Sequence, residues 1–392
     1  MTISAAHILG WFEGSEGYNV LTRNFADALA RRMPVYRTRL PRKHGEGVPV
    51  APEVAGHRRT GDLANILFSW GDQTFHLAAM PGVKIAYVIW ETTKLPDSWL
   101  EPLRAVDRYW VPCRQAKDML TQNGFPVDVI DVVPLGMDVS VFHPEVSPEP
   151  AIANLEGFKF IHVGRWQHRK GTADLLRAFD AEFAGDPGAR LILGCANPKR
   201  PDIDIASELK AMNLSCLDQL TFLGDGIGNE RMAGIFAAVD AGVFPTRSDP
   251  WGLPISEAMA CGLPVIATHY SGPADFMTTD TGYPLSWEPA SCPWMPARMA
   301  DGDFGMWSEP DFDELRRLMR RIYENREEAR AVGARAASHI AENWTWDHAA
   351  VKAETALHVF GKPASRKPRV GFSLPLHRIP GESQGPVAAK ES

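Results

Sequence analysis

Cysteine is scarce. The five, Cys113, Cys195, Cys216, Cys261 and Cys292, are odd in number and no two form a Cys-x-x-Cys pair. That excludes a disulfide framework and a structural zinc site, and leaves buried free thiols in a reducing compartment. Long apolar runs are also missing, with no stretch near the roughly 20 residues that a membrane span needs. The opening MTISAAHILGWFEGSEG has no positively charged n-region, so no signal peptide is expected. The expected location is the cytoplasm, with contact at the inner face of the membrane as an added possibility. A basic excess is absent: Lys and Arg total 41 against 48 Asp and Glu, for a net charge of −7 and a pI near 6.0. Nothing in that balance points to nucleic acid. The Gly-x-Gly-x-x-Gly fingerprint is absent too. Neither Gly14 with Gly17 nor Gly224-Asp-Gly-Ile-Gly228 supplies it, which argues against a nicotinamide dehydrogenase.

What is present is an ordinary globular composition, 45% hydrophobic and 23% charged, over 392 residues. Single cores stop growing near roughly 250–300 residues, so two domains are expected. Apolar runs of strand length recur at Ala5–Trp11, Asn65–Ser69, Lys84–Trp90, Arg108–Pro112 and Val129–Pro134, with helical periodicity between several of them. The proline-rich stretch HPEVSPEPAIANLEG interrupts the pattern at 143–157. It then restarts with strands at Lys159–Val163, Ala189–Leu193, Leu220–Leu223, Ala241–Phe244 and Pro264–Thr268, and helices at Thr172–Phe183, Glu230–Ala238 and Ser256–Cys261. Strands alternating with helices indicate parallel βαβ units, and the simplest account is two Rossmann-like halves. Tyr283–Trp307 reads as irregular, Asp311–Asn343 as helical, and the Pro-, Lys- and Ser-rich end after Gly361 as a disordered tail.

Two strings carry the chemistry. In FPTRSDPWGLPISEAMACGLPVIAT, residues 244–268, Gly252-Leu253-Pro254 forms a tight turn into a helix starting near Ile255. Asp249 precedes the turn and Glu257 falls in the first helical turn. A carboxylate accepts two hydroxyl hydrogen bonds, which suits the vicinal diol of a ribose, and helix N-terminal amides favour phosphate. The competing account is that Glu257 only complements the helix dipole. In FIHVGRWQHRKG, residues 160–171, Arg165 and Lys170 stand five apart across a loop after a strand, so both cations can converge on one anion. His168 and Arg169 are expected to face solvent.

These strings resemble the signature of glycosyltransferase family 4, a retaining family with the GT-B fold. Further matches are VVPLGMDVSVFHP at 132–144, where Asp138 is expected to cap a turn, and NWTWDHAAVKAETALHVF, which introduces a final helix. The resemblance implies an α/β protein of two Rossmann-like domains facing across a cleft. Residues 1–145 would bind the acceptor, 146–157 would be a linker and 158–344 would bind a nucleotide-sugar donor. Helix 345–361 would cross back to the N-terminal domain, and 362–392 would be the tail.

The resemblance also assigns roles. Arg165 and Lys170 would hold the leaving diphosphate. Asp249, Gly252, Leu253, Pro254 and Glu257 would bind the donor, with Asp249 standing where the family more often has Glu. Gly14 and Gly17 would lie near the donor phosphates. At the end of the strand Lys84–Trp90, where many relatives carry a histidine, this chain has Glu91. It is expected on the acceptor side, against a simple salt bridge to Lys94, with His76 the competing candidate. The implied reaction retains anomeric configuration by front-face attack, the departing phosphate helping to remove the acceptor proton. No cofactor is expected beyond the nucleotide-sugar substrate. No metal is expected either, since no Asp-x-Asp pair stands in a loop suited to one and the two cations supply the charge. The acceptor is a glycan, a lipid-linked glycan or a small molecule. Seven basic residues against one acid, Asp27, over residues 23–43 suggest a peripheral membrane contact or an anionic acceptor. A nucleotide-sugar epimerase of the same architecture and a non-catalytic binding or scaffold subunit stay open as alternatives.

Overall fold

The computed structural model describes residues 2–14, 17–41, 48–58, 61–196, 204–293 and 303–358. The tail expected from 362 onward, the end of the 345–361 helix, Arg42, Lys43 and the middle of the Tyr283–Trp307 segment lie outside these.

The N-terminal half holds six parallel strands: β1 (Ala5–Gly10), β2 (Val35–Arg39), β3 (Leu63–Phe68), β4 (Val83–Tyr87), β5 (Arg108–Val111) and β6 (Ile130–Val132). Their order is β2-β1-β3-β4-β5-β6. The direction of winding changes between β1 and β3. The C-terminal half holds β7 (Phe158–Arg165), β8 (Ala189–Ala196), β9 (Leu220–Phe222), β10 (Ala241–Phe244), β11 (Val265–Thr268) and β12 (Tyr283–Leu285). They run parallel in the order β12-β11-β10-β7-β8-β9. Here winding reverses between β7 and β10. Open parallel sheets bind ligands outside the carboxyl ends of their strands at such switch points.

The apolar runs that made the strands legible are buried on both faces, as parallel strands under helices require. Every residue of β1, β3, β10 and β11 is buried. The sequence did not reveal two parallel strands, each at a sheet edge. β2 is VYRTR, only partly buried and without an apolar run, and β12 is the three-residue YPL within the segment expected to be irregular.

Helix Trp346–His358 returns to the N-terminal half and packs on helix Gly17–Ala30. Its buried face is small, with Ala349, Ala350, Ala353 and Ala356, so the two backbones approach closely. Its entry is fixed by Met137, whose N–H donates to the Trp344 carbonyl at 2.8 Å. Asp138 caps the neighbouring turn, accepting from the Ser140 N–H at 3.1 Å. The basic stripe is largely spent on this contact and its surroundings. Arg31 pairs with Asp347, Arg32 with Glu354, Arg37 with Asp27 and Arg39 with Glu13.

Two expectations change. Asp311–Asn343 is two helices, Phe312–Glu324 and Arg326–Asn343, broken at Asn325. Within the segment expected to be irregular, β13 (Trp287–Ser291) and β14 (Met306–Pro310) pair antiparallel. This hairpin belongs to the C-terminal half by sequence yet docks on the N-terminal half. Thr93 donates its N–H to the Met306 carbonyl at 3.0 Å and accepts from the Met306 N–H at its hydroxyl at 2.8 Å. Cys292, Phe304 and Trp307 share a core with Trp90, Trp99 and Tyr109.

Candidate functional site

β7 ends at Arg165, which is half-buried at the carboxyl edge of the C-terminal sheet. The chain then makes the turn His168–Lys170 and reaches Gly171, whose φ of +69° only glycine adopts readily. Gly171 also abuts the chain after β10: a Cβ there would lie 1.9 Å from the Pro245 carbonyl oxygen. The two loops are stitched together, since the Arg247 N–H donates to the Arg169 carbonyl at 2.8 Å. Arg247 itself is buried and braces them, donating to the His168 carbonyl at 3.1 Å, to Asp174 at 2.6 Å and to Glu309.

This stitching puts Lys170 and Asp249 in direct contact. They form a buried ion pair between the loops after β7 and β10, at the switch point of the sheet. Burial lowers the Lys170 ammonium from its ordinary value. Burial alone would raise Asp249, but Lys170 and Arg169, with the Gly252 N–H, outweigh it and hold the carboxylate below its usual range. The contact itself is Lys170 Nζ donating to Asp249 Oδ2. The sequence separated Asp249 from the phosphate-binding cations, whereas the fold couples them.

Gly252, at φ +88°, caps helix Leu253–Ala260, with Leu253 and Pro254 as its first residues. The helix begins two residues earlier than expected, so Glu257 lies in its second turn. That weakens the helix-dipole account of this carboxylate, because the effect falls off within the first turn. Glu257 is partly buried, and burial pushes its pKa up to about 7. Beneath the loops His162 is fully buried, bonded to the Val243 carbonyl at 2.8 Å and the Thr172 hydroxyl at 3.1 Å. Burial lowers it to about 4, so it is a neutral strut.

Arg169 does not face solvent as expected. It donates to the Ser248 carbonyl at 3.2 Å, and its guanidinium lies 3.8 Å from the Glu91 carboxylate. Glu91 follows β4 in the other half, so this contact crosses the cleft. The simple pairing of Glu91 with Lys94 does not form; Lys94 meets Asp303 at 3.2 Å. His168 faces out and packs on Trp307 at 5.4 Å. His76 is buried in the turn Gly71–Leu77. Gly14 and Gly17 flank the loop between β1 and the following helix, where Arg23 donates to the Phe12 and Gly14 carbonyls at 3.1 and 3.2 Å.

The halves also meet beside this cluster. Asp275 accepts from the Arg114 N–H at 3.0 Å and its side chain at 2.8 Å, capping helix Arg114–Gln122 from across the boundary. Two hollows elsewhere, about 430 Å³ over helix Phe312–Glu324 and about 500 Å³ behind residues 144–148, are lined by none of the cluster residues. No set of three or more metal-ligating side chains is gathered among the described residues. No described helix is long and apolar enough to cross a membrane. Arg169, Arg247 and the cross-cleft contact were not foreseen. The signal was thin, because a basic run in a loop reads the same whether it faces solvent or a cleft.

Comparison with known proteins bears on the fold and on one segment of the C-terminal half. Residues 157–290 match the family model "Glycosyl transferases group 1". A D-inositol 3-phosphate glycosyltransferase of Arthrobacter sp. (strain FB24) is 31% identical over 164 residues, covering 40% of this chain and 38% of that protein. The chain thus spans about two fifths of that curated relative. Sucrose-phosphate synthase from Thermosynechococcus elongatus superposes with a TM-score of 0.65 at 18% identity, covering 91% of this chain and 99% of that one. Anabaena HepE, solved with UDP-glucose, superposes with a TM-score of 0.63 at 16% identity, covering 90% and 98%. The chain therefore has the GT-B fold, with a segment matching the group 1 glycosyl transferases at 157–290 in its C-terminal half.

Proposed function

We propose that this protein is a retaining glycosyltransferase that moves a sugar from a nucleotide-sugar donor bound to the C-terminal half onto an acceptor held by the N-terminal half. The observation that carries this reading is the meeting of Lys170 with Asp249 at the C-terminal switch point, with Arg169 beside them reaching Glu91 across the cleft. In this reading the acceptor hydroxyl oxygen bonds to the anomeric carbon while the bond to the distal phosphate oxygen breaks. The departing phosphate takes the hydroxyl proton. Lys170 and Arg165 stabilise the charge that grows on the diphosphate, without a metal or a resident cofactor. Glu257 receives the ribose diol, and Asp249 fixes Lys170 and faces the transferred sugar. The pairing of the stripe arginines with carboxylates weighs against a lipid-surface role for residues 23–39. A scaffold or epimerase reading gives no reason for a charged contact across the cleft.

Nucleoside diphosphates test the donor half directly. UDP, GDP and ADP are screened by thermal shift, and one of them at 100 times its dissociation constant should add roughly 2.7 kcal/mol of stability. Glu257→Gln should weaken that nucleotide by about tenfold. The pH dependence has a definite sign. Ribose hydroxyls donating to the carboxylate favour its charged form, so binding releases a proton and wild-type affinity rises from pH 6 to pH 8. In the free protein the raised pKa works the other way. As pH climbs from 4.5 through about 7, wild type loses stability relative to Glu257→Gln, by at most about 3 kcal/mol. Titration calorimetry in two buffers reads the binding effect, and denaturant unfolding of both proteins across the same pH range reads the stability effect. An identical dissociation constant in wild type and variant would return Glu257 to a structural role.

The acceptor half is tested at Glu91. Glu91→Gln should cut transfer at least about tenfold, some 1.4 kcal/mol of barrier, with nucleotide affinity unchanged. Normal transfer by this variant, or a loss confined to stability, would shift the acceptor-side role to His76.

A further inference from the structure

The N-terminal sheet has a switch point of its own, between β1 and β3, and of the residues gathered there only Glu91 has a part in the account above. Trp11 follows β1, Trp70 and Asp72 follow β3, and Glu91 follows β4. These strands are neighbours in the sheet. Tyr18, in the first turn of helix Gly17–Ala30, joins them. Trp11 stands edge-on to Tyr18 at 6.2 Å and to Trp70 at 6.3 Å, and both tryptophans are only partly buried. The Tyr18 hydroxyl is buried without a hydrogen-bond partner, and so is one carboxylate oxygen of Asp72. Unpartnered buried polar atoms are rare in folded proteins and call for an explanation. Burial raises the Tyr18 phenol, and Glu91 and Asp72 raise it further, so all three groups share one field.

The chemistry of this set is specific. Tryptophan faces and edges suit the C–H face of a pyranose ring, and a phenol with two carboxylates suits its hydroxyls. The same carboxylates repel a phosphate ester. Nearby cations are committed elsewhere: Lys170 to Asp249, Arg23 to two backbone carbonyls, and Arg169 to the Ser248 carbonyl and the Glu91 contact. We propose that Tyr18, Asp72 and Glu91, walled by Trp11 and Trp70, form the acceptor subsite, and that it takes an uncharged pyranose terminus rather than a phosphate-bearing polyol. Calling it the acceptor subsite rests on the transferase reading; its preference for a neutral sugar does not.

The test is saturation-transfer NMR on the full chain with methyl glycosides of glucose, galactose and mannose, against inositol 3-phosphate, with and without UDP. At least one neutral glycoside should bind at least tenfold more tightly than inositol 3-phosphate. Tyr18→Phe should weaken it at least fivefold without changing the UDP dissociation constant. Asp72→Asn should narrow the discrimination against inositol 3-phosphate. Binding of inositol 3-phosphate equal to or tighter than that of every neutral glycoside would overturn the proposal. So would a folded Tyr18→Phe protein that binds the glycoside normally. If no nucleoside diphosphate binds, the transferase reading falls, while the glycoside arms still decide the subsite.

Discussion

Lys170→Ala should reduce turnover by about 10²–10³-fold, the range seen when one donor to a developing oxyanion is removed. The structure adds a second consequence. Asp249 would then be a buried carboxylate without its counter-ion, a state that typically costs about 3–5 kcal/mol of stability. The two effects separate in a double-mutant cycle. Lys170→Ala with Asp249→Ala should recover most of the lost stability, because neither charge is then stranded, and recover none of the lost turnover. Chemical denaturation and steady-state kinetics on the same four proteins give both axes. If the double variant regains activity along with stability, Lys170 is a structural cation and Arg165 must carry the diphosphate alone.

Much of this site could be read in the residues because its loops obey local rules. Gly-Leu-Pro before a helix, and Gly-Arg before Lys-Gly after a strand, are consequences of backbone geometry that leave fixed spacings behind. Ten of the twelve parallel strands left an apolar run of some kind, since parallel strands covered by helices bury both faces, and the three-residue β12 is too short to leave one. The edge strand β2 did not, with only partial burial and two arginines in five residues. What stayed hidden were relations between distant segments. Nothing in the spacing says that Arg169 reaches the Ser248 carbonyl, that Glu91 faces Arg169 across the cleft, or that Asp72 acts on the buried Tyr18 hydroxyl. The hairpin of β13 and β14 was hidden for a similar reason. Its Trp307 packs against the other half of the molecule, where no local periodicity is imposed on it, while Trp287 stays on Tyr270 in its own half.

Gly171→Ala should be the most damaging single-atom change in the loop after β7. An alanine at φ +69° pays the left-handed penalty of roughly 1–2 kcal/mol that any L-residue pays. Its Cβ would also stand 1.9 Å from the Pro245 carbonyl oxygen, far inside any contact that real structures show. Relief requires the loop after β7 and the loop after β10 to part by more than about 1 Å. Their separation breaks the bond from the Arg247 N–H to the Arg169 carbonyl and displaces Lys170 from Asp249. Misplacement on that scale costs about 10²-fold in rate even without loss of a catalytic group. Gly185 provides the control. It has φ +78°, and a Cβ there would meet nothing within 4 Å. Gly185→Ala should therefore lose about 1–2 kcal/mol and keep its turnover, whereas Gly171→Ala should lose about 2–4 kcal/mol and most of its turnover. Thermal unfolding and transfer rates measured side by side decide between them. Equal behaviour of the two variants would mean that Gly171 serves only to turn the chain, and that the close approach to Pro245 does not set the position of Lys170.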